Sequence, residues 1–171
     1  MNGRIILLRG EANCCVFPET GHMPMTVAEW RKILSPYQSY GVNCIRFHSH
    51  CPPDAAFTAA DEIGMMMQPE LSHWNSKTAF EEENSWNYYQ LELRQILLTY
   101  VNRLSFVMLT FGNELCAGAL GHKRMGLLLK EAGELSLLAY REEIEAVMRT
   151  KEMSGISLLA LQDFPGQGTA L

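Results

Sequence analysis

The sequence predicts an α/β fold in which a mainly parallel sheet is flanked by outer helices. Short apolar runs alternate along the chain with segments of helical periodicity, which is the pattern of βα units around a parallel sheet. The 171 residues are the length of one domain, and 47% hydrophobic with 19% charged residues is an ordinary globular composition. We therefore expect one packed domain without a disordered tract.

The first predicted βα unit lies at the start of the chain. The apolar residues 5–8 predict its strand. Thr26 and Glu29 have the spacing of a capping box, in which the two side chains satisfy free amides at a helix start. Gly41 stands where that helix should end, because glycine readily adopts the left-handed conformation beyond a helix.

The second unit begins with a strand predicted over residues 42–47. Pro53 suits the first turn of the following helix, and Gly64 suits the position just beyond its end. The third strand is predicted over residues 65–68, and an amphipathic helix follows over residues 86–100.

The clearest strand of the sequence is predicted over residues 106–111. Beyond it the alternation fails, because residues 125–129 and 135–148 predict two helices with no strand of comparable quality between them. A last buried strand is predicted over residues 156–161, beside the first strand in the sheet. The sequence therefore predicts βα units 1–4 over about residues 1–115, followed by one isolated final strand.

Charge and hydropathy exclude several classes of partner. The net charge is −5 with a pI of about 5.5, and the longest basic run is the pair Lys123 and Arg124, so nucleic acid is not an expected partner. No apolar run approaches the roughly 18 residues that a membrane span requires. The start of the sequence has no signal-peptide pattern, and we expect a cytoplasmic chain unless it is a fragment of a longer exported protein.

The cysteines and histidines do not predict a metal site. Five cysteines without C-x-x-C spacing indicate free thiols rather than disulfides. His48, His50 and Cys51 form an H-x-H-C cluster, but zinc needs further ligands at a defined spacing that is not present. We expect neither metal nor cofactor. His22 and His73, like His122, have no supporting pattern and are expected at the surface.

Polar side chains follow the predicted strands at the point where each strand ends. In parallel α/β folds the carboxyl ends of the strands meet at one edge, and active sites form there. The second, third, fourth and last strands supply these residues in order: Arg46, His48, Glu70, Asn113, Glu114 and Asp163.

Two longer segments resemble a known family. Residues 40–74, YGVNCIRFHSHCPPDAAFTAADEIGMMMQPELSHW, and residues 106–115, FVMLTFGNEL, resemble the catalytic (β/α)8 barrel of glycoside hydrolase family 2, which includes β-galactosidases and β-glucuronidases. LRGEANCCVFPETG at 8–21 resembles the first barrel strand of bacterial members, and SLLALQDFPGQGTAL at 157–171 resembles their last. The resemblance implies an incomplete barrel of the TIM type and a carbohydrate substrate.

The resemblance also implies roles for the strand-end residues. Glu114 would be the catalytic general acid/base of a retaining mechanism, and Asn113 would bind the sugar 2-hydroxyl. Arg46 and His48 would line the floor of the site, although a buried structural bridge is an equal alternative. Glu70 would either contact the sugar or hold Arg46.

The sequence departs from the family in its second carboxylate. Retaining enzymes need a nucleophile about 5 Å from the acid/base, which the family supplies from a glutamate after the seventh strand. No predicted strand between Glu114 and residue 156 ends in a carboxylate, so the fifth to seventh units are missing. Asp163 lies in a D-F-P-G turn, where Asp commonly organises the loop, and we assign it to substrate binding rather than to catalysis.

Two functions remain open on the sequence. In the first, residues 1–171 are a single partial catalytic domain of a β-galactosidase-like glycoside hydrolase with impaired activity. In the second, the chain is a catalytically silent barrel remnant that binds sugar, or that self-associates or pairs with a complementary chain through its open edge.

Overall fold

The computed structural model describes the backbone of residues 6–149 and the side chains of residues 6–135. Three parallel strands form one sheet in the order β1, β2, β3, and helices follow each strand. The predicted α/β class is confirmed. The strands are β1 (Gly10–Asn13), β2 (Cys44–Phe47) and β3 (Met66–Gln68), and the helices are α1 (Val27–Ser39), α2 (Asp54–Ile63), α3 (Glu83–Tyr100) and α4 (Ala119–Arg149).

The first strand lies later in the chain than predicted. Residues 6–8 of the predicted strand 5–8 form no ladder, and β1 begins at Gly10, which pairs with Cys44. The Asn43 side chain explains the difference, because its amide oxygen accepts from the Arg9 N–H at 2.8 Å and its amide nitrogen donates to the Leu7 carbonyl at 3.0 Å. These bonds replace the ladder bonds that a strand through residues 6–8 would make.

The predicted ends of the first two helices are confirmed. Thr26 accepts from the Glu29 N–H and the Glu29 carboxylate accepts from the Thr26 N–H, which completes the capping box of α1. Gly41 follows the end of α1 with a φ of 80°, and Gly64 ends α2 with a φ of 71°. Pro53, predicted in the first turn of α2, lies one position earlier, as the N-cap with extended backbone.

The predicted fourth strand over residues 106–111 is not a continuous strand. It lies parallel to β3 and to residues 69–74, which we call the β3 extension. Three isolated bridges join Met67 to Phe106, Glu70 to Thr110 and Trp74 to Asn113. Between the first two bridges, Met67 and Glu70 are three positions apart whereas Phe106 and Thr110 are four apart. Between the second and third bridges, Glu70 and Trp74 are four positions apart whereas Thr110 and Asn113 are three apart. The register therefore slips twice, and no regular ladder can form. We call residues 106–113 the edge segment.

Successive side chains of β2 point to opposite faces of the sheet, one toward the hydrophobic core and the other toward the candidate site. Ile45 and Phe47 are fully buried, and Phe47 lies edge-on to Trp30 of α1 with ring centroids 6.0 Å apart. Burying side chains of this size stabilises the fold by roughly 1.5–3 kcal/mol each. Arg46 lies between them in the strand, so its side chain points to the opposite face, away from α1 and α2.

Between the edge segment and residue 149 the chain forms one helix rather than two. α4 spans Ala119–Arg149 and includes both predicted helices, 125–129 and 135–148. The intervening residues continue the helix, and Lys130 and Glu134 form an i,i+4 pair at 3.7 Å. The predicted last strand over 156–161, its place beside the first strand, and Asp163 lie outside the described residues. No described helix combines the length and the apolar character that crossing a membrane requires.

Candidate active site

Three strand-end side chains form one hydrogen-bonded network. Arg46 donates from Nε to one oxygen of Glu70 at 2.6 Å and from Nη2 to the other at 3.1 Å, which is the bidentate geometry that the planar guanidinium favours. The same Nη2 donates to Oδ1 of Asn113 at 2.7 Å. The network thus joins β2, the extension of β3 and the edge segment, three neighbouring parts of the sheet.

Glu70 is the buried centre of this network. Glu70 is only 1% exposed. Besides its bonds from Arg46, the Glu70 carboxylate accepts from the Ser49 N–H at 2.8 Å and from the Thr110 hydroxyl at 2.9 Å. Burial by itself would raise the pKa of Glu70, but the bonds from Arg46, Ser49 and Thr110 outweigh it and bring the pKa below its ordinary value. Glu70 is therefore an ionised carboxylate whose oxygens are already engaged, with little surface for a ligand.

Glu114 lies at the exposed end of the edge segment. It follows Asn113 directly, its φ is 48°, and its Oε2 accepts from the Trp74 indole N–H at 3.1 Å. The Trp74 ring in turn lies edge-on to His48, with ring centroids 5.3 Å apart. Trp74 thus connects Glu114 to His48, and Glu114 is also the chain neighbour of Asn113, which binds Arg46.

Each strand-like segment ends in a residue with left-handed backbone. The four non-glycine residues of positive φ among the described residues follow β1, β2, the β3 extension and the edge segment within one or two positions: Cys15, Ser49, Asn75 and Glu114. Non-glycine residues adopt this conformation at a cost of about 1–3 kcal/mol, and such residues cluster at functional sites. Here they turn the chain sharply at the edge where the polar side chains converge.

Gly112 allows the edge segment to reach the site. Its φ is 122°, and a Cβ built on it would lie 2.4 Å from the His73 carbonyl oxygen and 2.6 Å from the His73 Cβ. That carbonyl also accepts from the Asn113 N–H at 2.9 Å and from the Ser49 hydroxyl at 2.9 Å. Only glycine permits this close approach, which sets the position of Asn113.

His73 was expected at the surface, and that expectation is wrong. The residue is 1% exposed, with its ring against Phe80 and its Nδ1 3.4 Å from the Tyr89 hydroxyl. Burial lowers the pKa of His73. His22 and His122 are exposed as expected. The reason for the error is that His73 belongs to the β3 extension, which pairs with the edge segment and is covered by α3.

Three further residues join the site without having been predicted. Trp74, Ser49 and Thr110 all contact the predicted side chains, as described above. Thr110 had a signal, because it precedes Asn113 in an apolar strand where a polar residue is unusual. Ser49 and Trp74 lie within the segment that resembles the family, but no spacing rule separates them from ordinary loop residues.

The structure also bears on other kinds of site. Among the described side chains, residues 6–135, no group of three or more His, Cys, Asp or Glu residues is placed to hold a metal ion. An open groove lies between α3 and α4, lined by residues that include Leu91, Arg94 and Leu135. None of the strand-end residues lines this groove, so we assign the candidate site to the strand ends rather than to the groove.

Solved structures similar to this chain include three glycoside hydrolases. A β-glucuronidase from Parabacteroides merdae, with glycerol in its active site, is 18% identical with a TM-score of 0.67. An FMN-binding β-glucuronidase from Facaelibacterium prausnitzii is 19% identical with a TM-score of 0.68. A glycosyl hydrolase family 2 member from Bacteroides cellulosilyticus is 22% identical with a TM-score of 0.55. No family model and no curated protein matches the sequence.

The chain shares its fold with part of these enzymes. The similarity covers 78%, 78% and 79% of this chain but only 18%, 21% and 17% of theirs, respectively. The chain therefore spans about a fifth of the length of the proteins that it resembles. At identities below 25% the likeness establishes the fold, and it agrees with the predicted incomplete barrel.

Proposed function

We propose that this chain carries the acid/base side of a retaining glycoside hydrolase site and binds β-linked sugars there. The observation that supports this most is the network of Arg46, Glu70 and Asn113 beside Glu114 at the carboxyl ends of parallel strands. Active sites form at this edge of (β/α) folds. The similar solved structures add a likeness of fold to enzymes named as β-glucuronidases and as a family 2 glycosyl hydrolase.

In this proposal Glu114 is the catalytic residue. Its exposed carboxyl would donate a proton to the glycosidic oxygen and then take one from water. Asn113 would bind the sugar 2-hydroxyl through its amide nitrogen, because its Oδ1 already accepts from Arg46. Arg46 would fix the orientation of the Asn113 amide, and Glu70 would hold Arg46. His48 would contact the sugar beside Trp74.

The chain by itself is proposed to bind sugar without hydrolysing it at a substantial rate. Retaining catalysis needs a second carboxylate about 5 Å away on the other face of the sugar. Glu70 is buried and engaged, so it is unsuited to the role of nucleophile. Loss of one member of a cooperating catalytic set costs several orders of magnitude in rate.

Binding and turnover test the proposal separately. Nitrophenyl β-galactoside and β-glucuronide are titrated into the chain and followed by calorimetry, and their hydrolysis is followed by absorbance. We expect binding that weakens in Asn113→Ala and Glu114→Gln, and that is unchanged in the control Glu131→Gln on α4. Absence of binding of both glycosides at millimolar concentration would refute the proposal.

Trapping with a fluorinated glycoside addresses the nucleophile. Mass spectrometry of the treated chain should show no covalent adduct. A stoichiometric adduct on Glu70 or Asp163 would contradict the proposed lack of a nucleophile, and turnover that vanishes in Glu114→Gln would make the chain an active glycosidase.

A second candidate function, pairing with another chain, is supported by the edges of the described sheet. Among residues 6–149 no strand pairs with the outer edge of β1, and apolar side chains beside both edges are in solvent, with Leu7 72% and Leu104 86% exposed. Such edges favour association. Sedimentation at micromolar concentration tests this, and a monodisperse, cooperatively unfolding monomer would exclude self-association.

A further inference from the structure

Trp74 is a large aromatic side chain that remains exposed at the strand ends. Trp74 is 64% exposed, whereas the other two tryptophans, Trp30 and Trp86, are 0% and 8% exposed. A single exposed apolar residue is common on protein surfaces and needs no explanation by itself. The contacts of Trp74 distinguish it, because both its polar atom and its backbone are held by residues of the candidate site.

The first of these contacts is with Glu114. The indole N–H donates to Oε2 of Glu114 at 3.1 Å, so Trp74 holds one oxygen of the carboxylate. Because Oε2 of Glu114 is engaged by the indole, Oε1 is the carboxylate oxygen that can approach the glycosidic oxygen of a bound sugar. A donated hydrogen bond to a charged carboxylate is among the stronger polar interactions, and it restricts the rotation of an otherwise exposed side chain.

The backbone of Trp74 is also fixed relative to the site. Trp74 pairs with Asn113 in a parallel bridge, in which the N–H of Asn75 donates to the Asn113 carbonyl at 3.2 Å. The chain turns immediately afterwards through the left-handed Asn75, whose φ is 45°. His48 lies edge-on to the indole. The ring is therefore held in place while much of its surface remains in contact with solvent.

We propose that Trp74 is a specificity-determining residue that stacks on a sugar ring of the glycoside and positions Glu114 through its indole N–H. The proposal rests on the proposed function, because the ligand is the same β-glycoside. The C–H face of a pyranose is apolar, and an exposed indole offers it a rigid surface of matching character beside polar groups that bind hydroxyls. The same side chain would thus set both the position of the sugar and the direction of the acid/base.

The positioning contact can be tested without any sugar. In ¹⁵N-labelled protein the three indole N–H resonances are recorded, and the Trp74 resonance is identified by its loss in Trp74→Phe. We expect Glu114→Ala to shift this resonance and to accelerate its exchange with solvent. The Trp30 resonance is an internal control, because its N–H donates to the Pro24 carbonyl at 2.8 Å and should not change. An unchanged Trp74 resonance would overturn the positioning role.

The stacking role is tested by binding of nitrophenyl β-galactoside and β-glucuronide. Trp74→Ala should weaken the better-bound glycoside by about tenfold or more, which is the scale of one well-placed aromatic contact. Trp74→Phe retains an aromatic face and should lose less than about threefold. Tyr40→Ala is the matched control, since Tyr40 is 88% exposed at the end of α1, before β2 begins, and should bind like the wild type.

The outcomes separate this inference from the proposed function. If the wild type binds a glycoside and Trp74→Ala binds it equally well, the stacking role is refuted while the proposed function stands. If Trp74→Phe is as impaired as Trp74→Ala, an aromatic face is not what matters, and stacking is again refuted. If the wild type binds neither glycoside, the proposed function fails together with the stacking role, and the resonance measurement alone decides the positioning role.

Discussion

Replacing Gly112 with alanine should be one of the most damaging single-methyl changes in this chain. The residue has a φ of 122°, which L-residues rarely adopt, and strain of this kind costs about 1–3 kcal/mol. The added Cβ would also lie 2.4 Å from the His73 carbonyl oxygen, which is backbone and cannot rotate away. Forcing an extra methyl group into a packed site costs about 1–3 kcal/mol more. Taken near the middle of both ranges, the two costs add to a loss of about 4 kcal/mol.

Alanine substitutions at two other glycines distinguish the cost of backbone strain from the cost of the steric clash. Gly64 has a φ of 71° and nothing within 4 Å of its added Cβ, so Gly64→Ala carries strain without a clash and should cost about 1 kcal/mol. Gly126 lies inside α4, also with nothing within 4 Å, and Gly126→Ala should stabilise the helix by about 0.5–1 kcal/mol. The series thus predicts both the order and the sign of the three effects.

Urea and thermal unfolding followed by circular dichroism measure the series. With about 2–4 °C per kcal/mol for a chain of this size, Gly112→Ala should lower Tm by about 8–16 °C. It should also weaken glycoside binding, because Asn113 must move with its neighbour. A free energy of unfolding for Gly112→Ala within about 1 kcal/mol of that for Gly64→Ala would show that the contact with His73 is unimportant, and it would refute the reasoning.

Three further predictions concern single side chains. Because the folded pKa of Glu70 lies below its ordinary value, its stabilisation is present at neutral pH and is lost as the pH falls through that folded pKa. Urea unfolding should therefore show Glu70→Gln less stable than the wild type at pH 7, with a difference that shrinks in acid; a constant difference would contradict this. Burial, with a smaller contribution from Glu92, raises the pKa of Cys51 to about 12, so iodoacetamide at pH 8 should label the exposed Cys14 well before Cys51; equal labelling would contradict it. Thr26→Ala should lose about 1 kcal/mol of stability through the capping box of α1, as measured by urea unfolding; a loss below about 0.3 kcal/mol would show the cap to be unimportant.

The sequence predicted the elements best where local chemistry alone determines them. The capping box at Thr26 and the glycines at 41 and 64 mark helix ends through short-range bonds and backbone conformation, and all three are confirmed. Hydrophobic runs were a poorer guide, since residues 5–8 are more apolar than β1 itself. The family resemblance over residues 8–21 included β1, although the apolar pattern did not.

The errors concern interactions between distant parts of the chain. Asn43 binds the backbone on both sides of Leu8, and a side chain 34 residues away from Arg9 leaves no signal in the first segment. The slipped register of the edge segment likewise depends on how it meets the β3 extension, not on its own apolar residues. The burial of His73 follows from the same pairing.

The convergence of the strand-end side chains was easier to predict than the strands that carry them. Parallel strands place their carboxyl ends together whatever their lengths, so residues directly after the apolar runs converge even when the run is misplaced or irregular. Arg46, Glu70 and Asn113 meet for this reason. Trp74 was missed because no local pattern marks an exposed indole, and its contact with Glu114 depends on the bridge between Trp74 and Asn113.

The geometry also explains how the strand-end network can be ordered within the three strands and the edge segment that the structure describes. Arg46 connects β2 to the β3 extension through Glu70 and to the edge segment through Asn113, so each of these bonds stays within the described sheet. The network of Arg46, Glu70 and Asn113 is therefore complete within the strands up to residue 113. A nucleophile would have to approach the sugar from its opposite face, which a closed barrel provides through strands on the far side. Binding should accordingly persist in this chain where hydrolysis does not, and a second chain that supplies those strands should add rate without changing the sugar that is bound.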